Sequence, residues 1–188
     1  MTHIQSFVRM PNKNNVTPGE RFKMALERDT PIRMIDELEQ NIYSCFCVGH
    51  DLVKQLISKN KVEVIKLLCA RDRIYWNYDS LLLDYAARHK RYEILQVLMD
   101  WAEPRWKWRH NIQLSRQGFL NLVSDCQYGL VTRYLTNAEP HKHGYRHVRK
   151  YRRFCSQAFA AASHDREMQE LLRKTLNERL QRYAETHG

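Results

Sequence analysis

The 188-residue chain is 43% hydrophobic and 28% charged, which is enough apolar material for one sizeable core and too much for a disordered tail. No apolar run approaches the roughly 20 residues that a membrane-spanning helix needs, and 6 Gly with 5 Pro is sparse for an all-β or loop-rich protein. The formal charge is +10 and unevenly spread: residues 1–100 hold 15 Lys+Arg against 13 Asp+Glu, residues 101–188 hold 16 against 8.

Residues 1–16 form an N-terminal arm in which no charged stretch precedes an apolar one, so no signal peptide is expected. Five Cys without framework spacing fit free thiols in a reducing cytosol, and a cytoplasmic or intracellular location is the expectation. The first helix opens at Thr17-Pro18-Gly19-Glu20, which places Thr at the N-cap, Pro at N1 and Glu at N3, a capping box. Three gapless copies then recur at a period of 30, over residues 24–38, 54–68 and 84–98. Their apolar columns agree: Leu26, Leu56 and Ala86; Met34, Val64 and Ile94; Ile35, Ile65 and Leu95; Leu38, Leu68 and Leu98.

Each copy reads as two helices. A short first helix, such as Asp51 to Ser58, meets a polar turn, Lys59-Asn60-Lys61 or His89-Lys90-Arg91, and a second helix with apolar residues at helical spacing follows. Asp51, Ser80 and Ser115 are candidate N-caps for the first helices of later copies. A fourth copy follows at an offset of 36, with Tyr128-Gly129-Leu130-Val131 under Tyr92-Glu93-Ile94-Leu95. A fifth follows about 38 residues later, from Ala160-Ala161 to Leu172, with its register open by one residue. A helix pair of this size cannot bury its apolar face alone, so neighbours must stack.

The run Ala86-Ala87-Arg88-His89-Lys90-Arg91-Tyr92-Glu93-Ile94-Leu95-Gln96-Val97-Leu98 resembles the middle of an ankyrin repeat, with two Ala closing the first helix, a short turn and an aliphatic second helix. The resemblance extends over roughly residues 17–182 and implies an all-α, ankyrin-like solenoid of about five helix pairs filling residues 17–188. The chain departs from the family in several places. Leu81-Leu82-Leu83-Asp84 stands where the family has Thr-Pro-Leu-His, and its turn glycine is replaced by Thr30, Asn60, Lys90 and Cys126, of which only Asn60 readily accepts a left-handed backbone. The competing architecture is a generic helical-hairpin array or an irregular bundle. The resemblance implies a non-enzymatic protein–protein interaction module without a cofactor. By the habit of small degenerate arrays, it also implies a viral or bacterial protein that engages host factors.

Two basic-aromatic stretches fall between copies. Pro104 to His110 contributes Arg105, Trp106, Lys107, Trp108 and Arg109; Pro140 to Arg153 contributes Lys142, Tyr145, Arg146, Arg149, Lys150, Arg152 and Arg153. No Asp or Glu occurs from Pro140 to His164. In a stacked array both linkers leave the same edge and form one positive surface. It suits an acidic protein face or, as the alternative, the phosphates and bases of a nucleic acid. A bland reading remains beside these, in which the tryptophans pack under the linker and the cations only solvate the surface.

Other constellations are weaker. Cys45-Phe46-Cys47 with His50, and His141, His143 and His147 with Cys155, hold metal-ligand types, but no second Cys pair follows to complete a tetrahedral set, and zinc is not expected. Ser163-His164-Asp165 contains triad residue types, yet consecutive side chains diverge, and the run reads as the turn of the fifth copy. An enzyme whose groups converge only in three dimensions is the third class of reading.

Overall fold

The computed structural model describes residues 16–28, 30–42, 46–75, 79–106, 114–137 and 156–187. Among them the structure is helical: α1 (Pro18–Glu27), α2 (Ile32–Glu39), α3 (His50–Ser58), α4 (Val62–Ala70), α5 (Asp79–Arg88), α6 (Tyr92–Trp106), α7 (Arg116–Ser124), α8 (Tyr128–Asn137), α9 (156–161) and α10 (Arg166–His187). The helices pack in neighbouring pairs, α1 on α2, α3 on α4, α5 on α6 and α7 on α8. Contacts also run between equivalents of successive pairs: α1 with α3, α3 with α5, α5 with α7, α2 with α4, α4 with α6, and α8 with α10.

Local chemistry sets the helix starts. Thr17 caps α1 as expected: its side chain accepts the Glu20 N–H, and Glu20 Oε2 accepts the Thr17 N–H at 2.8 Å. Ser115 caps α7, its Oγ accepting from Gly118 N at 3.1 Å. Two expected caps are displaced. α3 begins at His50 with Gly49 as its N-cap, two residues before the expected cap, so Asp51 lies in the first turn, where its charge favours the helix dipole. α5 begins at Asp79, so Ser80 lies inside it.

The turns between paired helices share one device. Asn60, Lys90 and Cys126 all have positive φ, at 56°, 56° and 53°, and so does Asp72 after α4, at 53°. At each, the following N–H reaches back into the helix: Lys61 N to Leu56 O at 2.9 Å, Arg91 N to Ala86 O at 2.9 Å, Gln127 N to Leu122 O at 2.9 Å, and Arg73 N to Leu68 O at 2.8 Å. These are Schellman closures, which satisfy the last carbonyls of each helix and normally place Gly at the left-handed residue. Lys90 and Cys126 thus adopt a conformation that their side chains disfavour. Thr30 does not, because Pro31 follows it and biases it toward extended backbone.

The predicted columns are largely buried. Ile35, Ile65 and Leu95 are buried, as are Leu26, Leu56 and Ala86. Leu68 and Leu98 are buried, while Leu38, in the first pair, is only half-buried and Met34 is exposed. Close approach of α5 and α7 depends on small residues: a Cβ on Gly118 would lie 3.1 Å from Ala87 Cβ and 2.8 Å from Asp84 Oδ1.

Candidate interaction surface

The connections between successive pairs were expected to share one edge, and the first two do. Val48, entering α3, forms a parallel bridge with Ile74, between α4 and α5; the Val48 N–H donates to Arg73 O at 2.6 Å, and both bridge residues are buried. Arg73 stitches this edge. Its Nε meets Glu39 Oε1 at 2.7 Å, and its terminal nitrogens reach Phe46 O at 3.4 Å and Ile42 O at 3.5 Å. Glu39 is buried and also receives Arg71 Nε at 3.4 Å, so its charge is compensated twice.

The third connection departs from expectation at its start. α6 runs through Trp106, so Pro104, Arg105 and Trp106 belong to the helix and not to a linker. Trp101 and Ala102, both buried, hold α6 in register up to this point, and the helix ends two residues past Pro104. The connection ends at Ser115, whose N–H donates to Asp84 Oδ1 at 2.7 Å. Lys107, Trp108 and Arg109 lie outside the described residues, as do Lys142, Tyr145, Arg146, Arg149, Lys150, Arg152 and Arg153 of the fourth connection and nearly all of the N-terminal arm. Where α6 and α8 adjoin these stretches, Arg133 binds both Asp100 and Glu103; those bonds hold its guanidinium charged although partial burial works against it.

The opposite edge, where the intra-pair turns lie, carries a polar relay that sequence reading missed. Tyr92 donates its hydroxyl to Asp125 Oδ2 at 2.7 Å, and Lys90 Nζ reaches Asp125 Oδ1 at 2.9 Å. One pair further, Tyr128 donates to Asp165. The signal was present, since Tyr92 and Tyr128 share a column at the offset of 36. Burial and the hydrogen bond to Asp125 push the Tyr92 hydroxyl well above its ordinary range, and the bond to Asp165 does the same for Tyr128. Bonds from Lys90 and Tyr92 lower Asp125, and contacts with Cys126, Tyr128 and the Met168 N–H hold Asp165 down at about 2.

Ser163-His164-Asp165 forms the turn of the fifth pair, as predicted. Asp165 Oδ1 accepts the Met168 N–H at 2.9 Å and so caps α10, while His164 Nε2 meets the Cys126 sulfur at 3.7 Å. The adjacent carboxylate raises the Cys126 thiol above its ordinary value, which favours the protonated form over a thiolate nucleophile. Cys47, Cys69 and Cys126 are unbridged; Cys45 and Cys155 lie outside the described residues. His50 opens α3, and partial burial lowers its pKa. Among the described residues no three His, Cys, Asp or Glu side chains converge on a possible metal position. None of the described helices is long and apolar enough to cross a membrane.

Comparison with protein-family models, curated proteins and solved structures finds no match to this chain.

Proposed function

We propose that the chain is a divergent ankyrin-like solenoid of five helix pairs that works as a non-enzymatic binding module for a protein with an acidic face. Support for the architecture comes from the packing of equivalent helices in successive pairs and from the left-handed turn residue at Asn60, Lys90 and Cys126, spaced by 30 and 36. Support for the binding edge rests on one observation, the side-by-side placement of the first two connections through Val48 and Ile74. We infer that the same arrangement continues along the array, so that the 107–113 and 138–155 connections share this edge, with neighbouring layers at the roughly 10 Å spacing of packed helices. In this reading Lys107, Arg109, Lys142, Arg146, Arg149, Lys150, Arg152 and Arg153 join Arg105 from the last turn of α6 in one cationic surface, with Trp106, Trp108 and Tyr145 as aromatic contacts. On the described body many cations are neutralised within the fold, including Lys66, Arg73, Lys90 and Arg133, whereas the sequence from Pro140 to His164 holds no acid. Self-repulsion among so many cations is relieved by an anionic partner.

The test is affinity purification from a lysate with and without nuclease, repeated with the Arg149→Glu/Lys150→Glu variant. A partner that survives nuclease and is lost on charge reversal, at unchanged or slightly raised thermal stability, supports the reading. Loss of every partner on nuclease treatment, with affinity falling steeply as salt rises, replaces it with nucleic-acid binding. Binding unchanged by reversal moves the contact to a helical face.

A further inference from the structure

The apolar columns separate by the direction they face. In α6, Ile94, Leu95, Leu98 and Met99 are all buried. In α10 the equivalents of Ile94 and Leu98, Met168 and Leu172, are buried, but those of Leu95 and Met99 are Gln169 and the exposed Arg173. α10 packs on α8, so the Met168 and Leu172 columns face the preceding pair and the other two columns face onward. The first pair shows the converse. In α2 the onward positions Ile35 and Glu39 are buried, the latter on Arg73, whereas the backward position Met34 is 38% exposed, Leu38 is half-buried and Ile32 is 41% exposed. Beside it, α1 presents exposed Lys23 and Glu27 where α3 has buried Val53 and Ile57. The outer end of the first pair is therefore polar on α1 and apolar on α2. An outer face of a stacked array needs a polar surface or a cover, and the α2 half of this one is apolar.

We propose that residues 4–10 of the N-terminal arm dock on this open face of α2 and complete the cap. Ile4, Phe7 and Val8 stand at i, i+3 and i+4, the spacing of one helix face. Charge does not oppose docking: residues 1–19 contain Arg9 and Lys13 and no acid, while α2 carries Asp36 and Glu37 besides Arg33, Glu39 being held on the onward side by Arg73. Reach is sufficient, since the six residues from Pro11 to Val16 span up to about 20 Å and packed helices lie roughly 10 Å apart. This inference rests on the packing of equivalent helices and is independent of what the basic edge binds.

The test is hydrogen peroxide oxidation of the full-length chain, with Met34 sulfoxide followed by peptide mass spectrometry and the buried Met99 as internal control. In Phe7→Asp, Met34 oxidises several-fold faster than in the parent protein while Met99 stays protected, which separates undocking from unfolding. Phe7→Asp also lowers Tm in the parent background and leaves it unchanged in a Met34→Lys background, because the docking site is then already lost. Equal Met34 oxidation in parent and variant overturns the proposal. So does a concentration-dependent dimer in sedimentation that Met34→Lys dissociates while Phe7→Asp does not, which assigns the face to a second copy of the chain.

Discussion

Replacing Leu68 by Ala tests the stacking of the helix pairs directly. Leu68 is fully buried on α4, a helix that packs against α2, α3 and α6, so the lost atoms face several elements at once. Three carbons leave the core, and at about 0.8 kcal/mol per buried methylene the transfer contribution is roughly 2 kcal/mol. A void that fails to collapse adds about 24 cal/mol per Å³. For some 80 Å³ of vacated side-chain volume that is at most about 2 kcal/mol more, so the expected cost is about 2–4 kcal/mol. Leu81→Ala is the matched control: the same atoms are removed from a side chain that is 54% exposed on α5, and the cost stays below about 1 kcal/mol. Urea denaturation followed by far-UV circular dichroism measures both, with an unchanged m-value required for the comparison. Equal losses at the two positions, or a loss under about 1 kcal/mol at Leu68, would refute the assignment of this column to a shared interface.

The left-handed turn residues predict an order of stability at position 90. Lys90→Gly removes a steric cost of about 1–2 kcal/mol, offset by about 0.5–1 kcal/mol of added chain entropy and by the largely exposed Lys90–Asp125 pair; the variant is therefore as stable as the parent or slightly more so. Lys90→Val, with a branched side chain at positive φ, is less stable than both, and a Val variant matching the parent in urea would contradict the turn geometry. Acid should weaken the fold through Asp125 and Asp165, whose pKa values are depressed in the folded state. Their contribution is complete above the unfolded carboxylate value near 4 and is lost as pH falls through the lowered folded values, which for Asp165 is about 2. Thermal melts across this range should show a shallower acid dependence in Asp165→Asn, which keeps a capping side chain but cannot titrate; an unchanged slope rejects this role for Asp165.

Periodicity, capping and charge were legible in the chain because each is a property of residues near one another in sequence. The recurrence of Leu26, Leu56 and Ala86 located the first helices, Thr17 and Ser115 carried their own cap chemistry, and the acid-free stretch from Pro140 to His164 stands out in any reading. Turn positions were legible too, but not their conformation: Lys90 and Cys126 are poor left-handed residues, and only the packing of the helices on either side imposes that backbone. Helix ends were hardest to read. Asp51 and Ser80 have N-cap side chains but lie inside helices, and α6 continues past Pro104 because Trp101 and Ala102 are buried against neighbouring elements. Partnerships between distant residues were not legible, even where one partner recurs in a column as Tyr92 and Tyr128 do. Arg73 with Glu39, Tyr92 with Asp125 and Tyr128 with Asp165 each join residues more than 30 positions apart. Nor could an apolar column reveal whether it faced the preceding pair or the next, since helical spacing marks a buried stripe without naming its neighbour. That direction exists only once the pairs are packed, and it is what separates buried Ile35 from exposed Met34, adjacent residues of similar hydrophobicity on one helix.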